Sequence, residues 1–599
     1  MEGELVLQTT WSLKELYDSF KSPAFLDDLK QVDALIQSYH HFAEDIASSP
    51  HNVTSTLEQY LDFQIRFNDL FQKLFSFCSL TLSTDTSNEE ALKYSDILNE
   101  KGSSLAKSEA AVNHWIGNLE QLDDLLSQSS RLEEHRFLFK EIQLFSRYLL
   151  SDDEEAIIAK MQNTGSTAWS KLKDTVTSQL MVDVPLADEV KSMPLTMARN
   201  LAHDPNPTIR KAAYEAELKS YSKIEDSLAA CISNIKGEVI TTSQLRGYDS
   251  PLQETLMKSR LKKETLEAML EAMKESLPKF RKFLQTKAKL LGHKAGLPFY
   301  DLFAPMKGHS ETFDYEHGTS FVLKQFATFS DTLANYAKEA IEQSWIDVYP
   351  KQGKVGGAFC SNLHVIKQSR FLLNYGDQFS DVVTLSHELG HGFHGYCLND
   401  ESSLNSSYPM PLAETASTFC ETIVKKAAIK SGSDDEIFAI LEAELTDSTQ
   451  IIVDIYSRYL FETALFEKRQ ESSLGVKALN EMMIKAQKEA YGDGLDSNYL
   501  HPYMWACKPH YYDASSNFYN FPYAFGLLFA KGLYAKYLEQ GDPFVKDYEQ
   551  LLSVTGKNSV EDVARTVGID LTSKEFWQQS LKIITDDIEK FEQLAQKKL

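Results

Sequence analysis

Apolar residues recur three and four positions apart along most of this 599-residue chain. Leu57, Tyr60, Leu61, Ile65 and Phe67 form one such stripe, and Leu266, Met269, Leu270, Met273 and Leu277 form another. That period puts the apolar side chains on one face of an α-helix. Breakers are sparse, with 26 Gly and 17 Pro. No fixed-period repeat or low-complexity tract interrupts the pattern. The expected fold class is mainly α.

Two stretches depart from it. After Met181 the breakers cluster, in Val184-Pro185, Met193-Pro194 and Asp204-Pro205-Asn206-Pro207. A boundary is expected there, between an N-terminal helical lobe at 1–190 and a catalytic domain at 191–599, with a new helix from about Thr208. The second stretch holds short β-prone runs at 345–349, 357–360 and 371–375, punctuated by Gly353, Gly356 and Gly357. It predicts a small antiparallel sheet. Two roles are open to that sheet. It is a plain structural element, or its exposed edge pairs with an extended peptide and sets Gly356, Gly357 and Ala358 against the peptide backbone.

Composition narrows the class. The hydrophobic fraction is 43% and the charged fraction 25%, as in soluble globular proteins. The chain is too long for one core, so two large lobes are expected. A net charge of -25 argues against nucleic acid and anionic membranes as partners, although a solubilising surface also explains it. No stretch has the length of a membrane span, and Met1-Glu2-Gly3-Glu4-Leu5 lacks the features of a secretory signal. Six scattered cysteines without a Cys-x-x-Cys pair fit a reducing cytoplasm. Nothing in the pattern separates a monomer from a homo-oligomer.

The chemistry is concentrated in His387-Glu388-Leu389-Gly390-His391, which matches the zinc-peptidase pattern H-E-x-x-H. Composition alone would give roughly 0.03 such matches. Histidines four apart project from one helix face, so both imidazoles reach one ion. Just upstream, Ser380 and Asp381 offer an N-cap and a first-turn acid, and 382–385 is apolar enough for a buried helix.

A catalytic zinc needs a third protein ligand. His394 shares the face of His387, but three ligands on successive turns spread over about 10 Å. Zinc holds its donors at about 2 Å, so His394 reads as a residue behind the site or in the packing. A metzincin would carry Gly at 394 and His at 397, where this chain has His394 and Cys397. That leaves a carboxylate from 409–421, which reads as a helix starting near its prolines. Glu414 falls in its first turn beside small residues that allow close helix approach, and is the favoured third ligand. Glu421 lies seven residues on, either accepting a hydrogen bond from a ligating histidine or sitting as a surface carboxylate.

Ser386-His387-Glu388-Leu389-Gly390-His391-Gly392-Phe393-His394, followed by Ala413-Glu414-Thr415-Ala416-Ser417, resembles the M3 family of zinc peptidases, and within it the oligoendopeptidase F group. Fragments from Trp11-Ser12-Leu13 through Arg246-Gly247-Tyr248 to the glycine-rich 353–360 carry the likeness along nearly the whole chain. The resemblance implies a two-lobed helical ellipsoid with a deep substrate channel. It implies one Zn2+ ion held by His387, His391 and Glu414, with Glu388 as catalytic base. It also implies substrate or oxyanion contacts from His510, Tyr523 and Tyr519, although aromatics at such spacing serve core packing equally well. The function expected is zinc-dependent endopeptidase cleavage of short unstructured peptides, with a zinc-activated water and a Glu general base. A peptidyl-dipeptidase or carboxypeptidase with the same zinc motif is the near alternative. A non-catalytic peptide-binding protein is disfavoured, because it has no use for Glu388.

Overall fold

The computed structural model describes residues 7–46, 52–187, 189–306 and 312–599. Helices dominate, as the apolar spacing predicts. The first stripe lies on helix Val53–Thr84, where Leu57, Tyr60 and Leu61 are buried. Asn52 caps it, its side chain accepting from the Ser55 amide at 3.2 Å. The second stripe lies on helix Lys263–Leu290, and all five of its apolar residues are buried. That helix packs along helix Lys574–Gln596, where Phe283 meets Phe591 edge-on at 5.1 Å. Among the described residues no helix is long and apolar enough to cross a membrane.

The chain divides by contact into two compact units, each assembled from three stretches. The first comprises 1–149, 311–427 and 536–569, and the second 150–310, 428–535 and 570–599. Phe25, Tyr39, Leu57 and Phe139 are buried in the core of the first unit. Ile232, Phe461, Trp505 and Tyr511 are buried in that of the second. The proline-rich run after Met181 forms an antiparallel hairpin in the second unit, β1 (Met181–Pro185) with β2 (Val190–Pro194). Residue 190 opens β2. The helix expected at about Thr208 begins at Pro207, with Asn206 as its cap.

The β-prone runs of the first unit form a three-stranded sheet in the order β3-β5-β4. These strands are β3 (Ile346–Asp347), β4 (Phe359–Leu363) and β5 (Gln368–Leu372). The sequence pattern predicts a small antiparallel sheet; β4 and β5 run that way, whereas the two-residue β3 lies parallel to β5. The reason is the eleven-residue excursion between β3 and β4. It is long enough to bring the chain back and enter β4 at the far side of β5. Asp347 pins it: the buried carboxylate takes Lys354 at 2.7 Å and Lys351 at 3.2 Å, both from the excursion. β4 is therefore an edge strand.

Helix Phe379–Cys397, the signature helix, follows this sheet directly. It starts one residue before Ser380, the expected cap, which is instead already inside its first turn. Asp381 fixes that start, its Oδ2 accepting from the Gln378 amide at 2.9 Å and the Gly376 amide at 3.0 Å. The helix expected from the prolines is split. A turn at Met410–Ala413 ends at Glu414, and helix Thr415–Ser431 starts there, with the Thr418 amide bonded to the Glu414 carbonyl at 3.1 Å. Glu414 thus sits at a joint, not within a continuous first turn.

Candidate active site

Three glycines let other elements close on the signature helix. A side chain at Gly390 would put its Cβ 2.6 Å from the Ala416 carbonyl oxygen and 2.7 Å from the Ser417 Cα. Both atoms are backbone, so the start of helix Thr415–Ser431 lies directly against Gly390. On other sides a Cβ at Gly392 would meet Tyr336 and Phe371, and one at Gly395 would meet Asn362. Each glycine costs the helix roughly 1 kcal/mol against alanine. The return is close approach.

That approach carries Glu414 to the histidines. The His387 and His391 Nε2 atoms are 3.1 Å apart, and Glu414 Oε2 is 3.3 Å from the first and 3.4 Å from the second. Zinc bonds of about 2.0–2.1 Å in tetrahedral geometry put neighbouring donors about 3.3–3.4 Å apart. Two imidazoles and a carboxylate are the donor set of many hydrolytic zinc sites. The residues present therefore fit the metal. Ser417, fully buried, donates to Glu414 Oε2 at 2.8 Å and fixes that side chain.

The other face of His387 is equally defined. Its Nδ1 donates to Glu421 Oε1 at 2.5 Å, and Lys425 holds Glu421 Oε2 at 2.8 Å. Glu421 is thus a hydrogen-bond acceptor on the His387 ring, not a surface carboxylate. With Nδ1 engaged there, Nε2 is the ring atom left to face the converging donors. Burial disfavours a charged His387, but the carboxylates of Glu414 and Glu421 outweigh it and raise its pKa to about 10. Burial likewise opposes ionisation of Glu414, yet the two imidazoles hold its carboxyl well below the usual range. Glu388 is 6% exposed, and burial raises its carboxyl despite the neighbouring imidazoles.

His394 does not join the set. It is fully buried, with its ring stacked on Tyr408 at 3.9 Å and its Nε2 2.8 Å from Thr555 Oγ1. It packs against Tyr408 and Thr555, two turns along the helix from His387. Gly356, Gly357 and Ala358 form the entry to β4, with Gly357 at φ +81°. Asn374 donates to the Val355 and Gly357 carbonyls at 3.0 and 2.8 Å. A cavity of about 230 Å³ opens beside them, lined by Gly357, Ala358, Asn374, Asp381 and Thr384 among others.

His510, Tyr519 and Tyr523 come together in the second unit. The His510 and Tyr519 rings stack at 4.8 Å, and the hydroxyls of Tyr519 and Tyr523 are 3.0 Å apart. Burial and the nearby Arg458 and Lys508 charges lower the pKa of His510.

Sequence reasoning missed Asn362. From β4 it donates to the His391 carbonyl at 3.1 Å and accepts from Ser369 at 2.7 Å, and Ser369 in turn contacts Tyr336 at 2.8 Å. This chain of bonds ties the sheet to the ligand-bearing turn. An isolated asparagine in a strand carries no signal of it. Ser417 and Lys425 were also missed, although their three- and four-residue spacing from Glu414 and Glu421 was there to read.

The model of peptidase family M3 matches residues 200–583, more than half of the chain. The model described as oligopeptidase F matches 118–181. The chain is 23% identical to oligopeptidase PepF of Bacillus subtilis, over 99% of this chain and 88% of the relative. It is 25% identical to an oligoendopeptidase F homolog of Lactococcus lactis, over 99% and 98%. Among solved structures, one from Chlamydophila abortus superposes with a TM-score of 0.84 at 21% identity, covering 99% of both chains. Oligoendopeptidase-F from Enterococcus faecium gives 0.69 at 16%, covering 95% of this chain and all of that one. These two establish the likeness of fold.

Two outcomes follow from the packing. Gly390→Val is expected to force the helices apart and cost at least about tenfold in zinc affinity, the scale seen when a ligand's support is lost. Competition against a chromogenic chelator measures it. Glu414→Gln is expected to leave a substoichiometric zinc content after dialysis, read by atomic absorption. His394→Gln, two turns from His387 and engaged by Thr555, is expected to stay near one zinc per chain.

Proposed function

The chain belongs to peptidase family M3 and is a metalloendopeptidase, and from that premise we propose that it cuts internal bonds of short, unstructured peptides at one zinc ion held by His387, His391 and Glu414. The observation that carries this reading is the triangle of two Nε2 atoms and one Oε2, with sides of 3.1–3.4 Å. Zinc bound there would supply Lewis acidity towards water and the scissile carbonyl, lowering the water's pKa towards 7. Glu388 follows a ligand in sequence and is buried beside both imidazoles. Its carboxylate takes the proton of the attacking water and passes it to the leaving amine.

Substrate binding uses the edge of β4. An extended peptide adds there as a further strand, with Gly356, Gly357 and Ala358 against its backbone. Among the described residues, no heavy atom beyond each glycine's own chain neighbours lies within 4 Å of where a side chain at Gly356 or Gly357 would begin, which leaves room there. Backbone pairing of this kind is largely blind to side chains, as suits a peptidase for mixed peptides. His510, Tyr519 and Tyr523 are assigned to hydrogen bonding with the substrate and its developing oxyanion, supported by their clustering and by the family likeness. We place the protein in the cytoplasm, a reading supported by six cysteines that are all free thiols.

Glu388→Gln keeps shape and polarity but removes the base. It is expected to retain zinc and bind peptide, and to lose about three orders of magnitude in turnover of a quenched peptide. Retention of more than about a tenth of the parent rate would remove Glu388 from the role of base. The second outcome concerns the substrate. A peptide of about ten residues, acetylated and amidated at its ends, is expected to be cut internally, since a β-edge reads backbone and not termini. A stably folded domain must first unfold at a cost of about 5–15 kcal/mol and is expected to survive the same incubation. Mass spectrometry of the products decides both. Failure to cut the blocked peptide alongside cleavage of its free-ended form would favour removal of C-terminal dipeptides instead.

A further inference from the structure

Two charged side chains in the second unit are buried far more deeply than stability requires. Lys236, on helix Glu225–Arg246, is fully buried, and Glu462, on helix Ile455–Glu471, is 3% exposed. Burial lowers the pKa of the ammonium and raises that of the carboxyl, each against the attraction of the other. A buried pair of this kind adds little to stability compared with apolar residues of similar size. Its hydrogen bonds show what else it does.

Lys236 Nζ has three N–H groups and three acceptors: Asn517 Oδ1 at 2.7 Å, the Asp513 carbonyl at 3.4 Å and Glu462 Oε1 at 3.4 Å. Glu462 Oε1 also accepts from the Phe518 amide at 3.0 Å. All the loop contacts fall on 513–518, immediately before Tyr519. Thr255 adds a bond to the Asn517 carbonyl at 2.9 Å, and Arg458 holds Asn520 Oδ1 at 3.0 Å on the other side of Tyr519. Between these anchors Phe518 has φ +51°, a left-handed conformation that a bulky side chain resists. Its ring is held on Phe466 at 5.5 Å and Tyr459 at 5.6 Å. A strained residue persists only where its surroundings over-determine it, and such sites cluster where a neighbour must be aimed. The neighbour here is Tyr519, whose ring lies on His510 and whose hydroxyl meets that of Tyr523.

We infer that Lys236 and Glu462 are positioning residues, which clamp the 513–520 loop in its strained form so that Tyr519 is set against His510 and Tyr523 for substrate. The inference rests on the substrate role given above to those three residues. It predicts that the clamp acts on catalysis through Tyr519, and not through the metal or the general stability of the chain.

A double-mutant cycle on the zinc-loaded full-length enzyme tests it. Tyr519→Phe is combined with Asn517→Ala, which cuts the shortest clamp bond and leaves the ion pair intact, and with Lys236→Met/Glu462→Gln, which removes both charges together. Parallel readouts are kcat and KM on a quenched peptide, bound zinc and the thermal midpoint. In the parent, Tyr519→Phe is expected to lower kcat/KM by about tenfold or more. Either clamp variant is expected to lower it by a similar factor, with zinc unchanged at one per chain. Tyr519→Phe added to a clamp variant is then expected to cost less than about twofold, because the hydroxyl is already misplaced. Additive losses, or clamp variants that bind zinc and work at the parent rate, would overturn the positioning role. A silent Tyr519→Phe in the parent would instead overturn the substrate role of the tyrosines, and the clamp with it. If the charge-removed variant does not fold, Asn517→Ala alone decides.

Discussion

The backbone of helix Thr415–Ser431 lies directly against the signature helix at Gly390, and the candidate metal site depends on that contact. Helices usually keep their axes 8–10 Å apart, at a distance set by the side chains between them. At Gly390 there is no side chain, and the partner presents the backbone of Ala416 and Ser417. Glu414 precedes that contact by two residues, at the joint where its helix begins. The carboxylate is therefore delivered by backbone packing, not by the reach of a long flexible side chain. Alanine at 390 would strengthen the helix in isolation and spoil this contact, which explains a glycine in the middle of a buried helix.

The two carboxylates of that second helix act differently on one imidazole. Glu414 meets His387 on Nε2 and Glu421 meets it on Nδ1, seven residues and two turns later. Ring orientation is thereby set from both ends before any ion arrives. The arrangement concentrates carboxylate charge around two partly exposed imidazoles. The raised pKa of His387 expresses that imbalance, and a divalent cation answers it better than a proton does. Lys425 keeps Glu421 ionised, so its acceptor role survives burial. From the sheet side, Asn362 fastens the His391 carbonyl and keeps the ligand turn in register with the edge strand.

How much of this was legible in the sequence depends on the range of each interaction. Local periodicity gave the helices, because burial of one face follows directly from residue spacing. The histidines and Glu388 were legible for the same reason, since one helix turn relates them. Glu414 was reachable because its small neighbours signal close packing, although the break at the joint was not visible. The parallel pairing of β3 was missed because it depends on an excursion pinned by Asp347 and Lys354, a contact with no local pattern. Ser380 was the wrong cap because an acid at the third helical position outcompeted it for the free amides. Asn362, and the Lys236–Glu462 pair 226 positions apart, were beyond any window, since their meaning lies entirely in what the fold brings near them.

These long-range polar contacts share a logic. Lys236 and Glu462 place buried charges, and Asn362 a partly buried amide, where an apolar residue would stabilise the fold as well or better. Each also ends on backbone at or beside a candidate site residue. Asn362 ends on the carbonyl of His391, and Glu462 on the amide next to Tyr519. Apolar packing tolerates small shifts, because dispersion falls off gradually and in every direction. A hydrogen bond to a specific backbone atom does not, because it weakens steeply with misalignment. The chain thus uses apolar stripes to build its two units, and at these two places a polar contact fixes a backbone atom beside a candidate site residue.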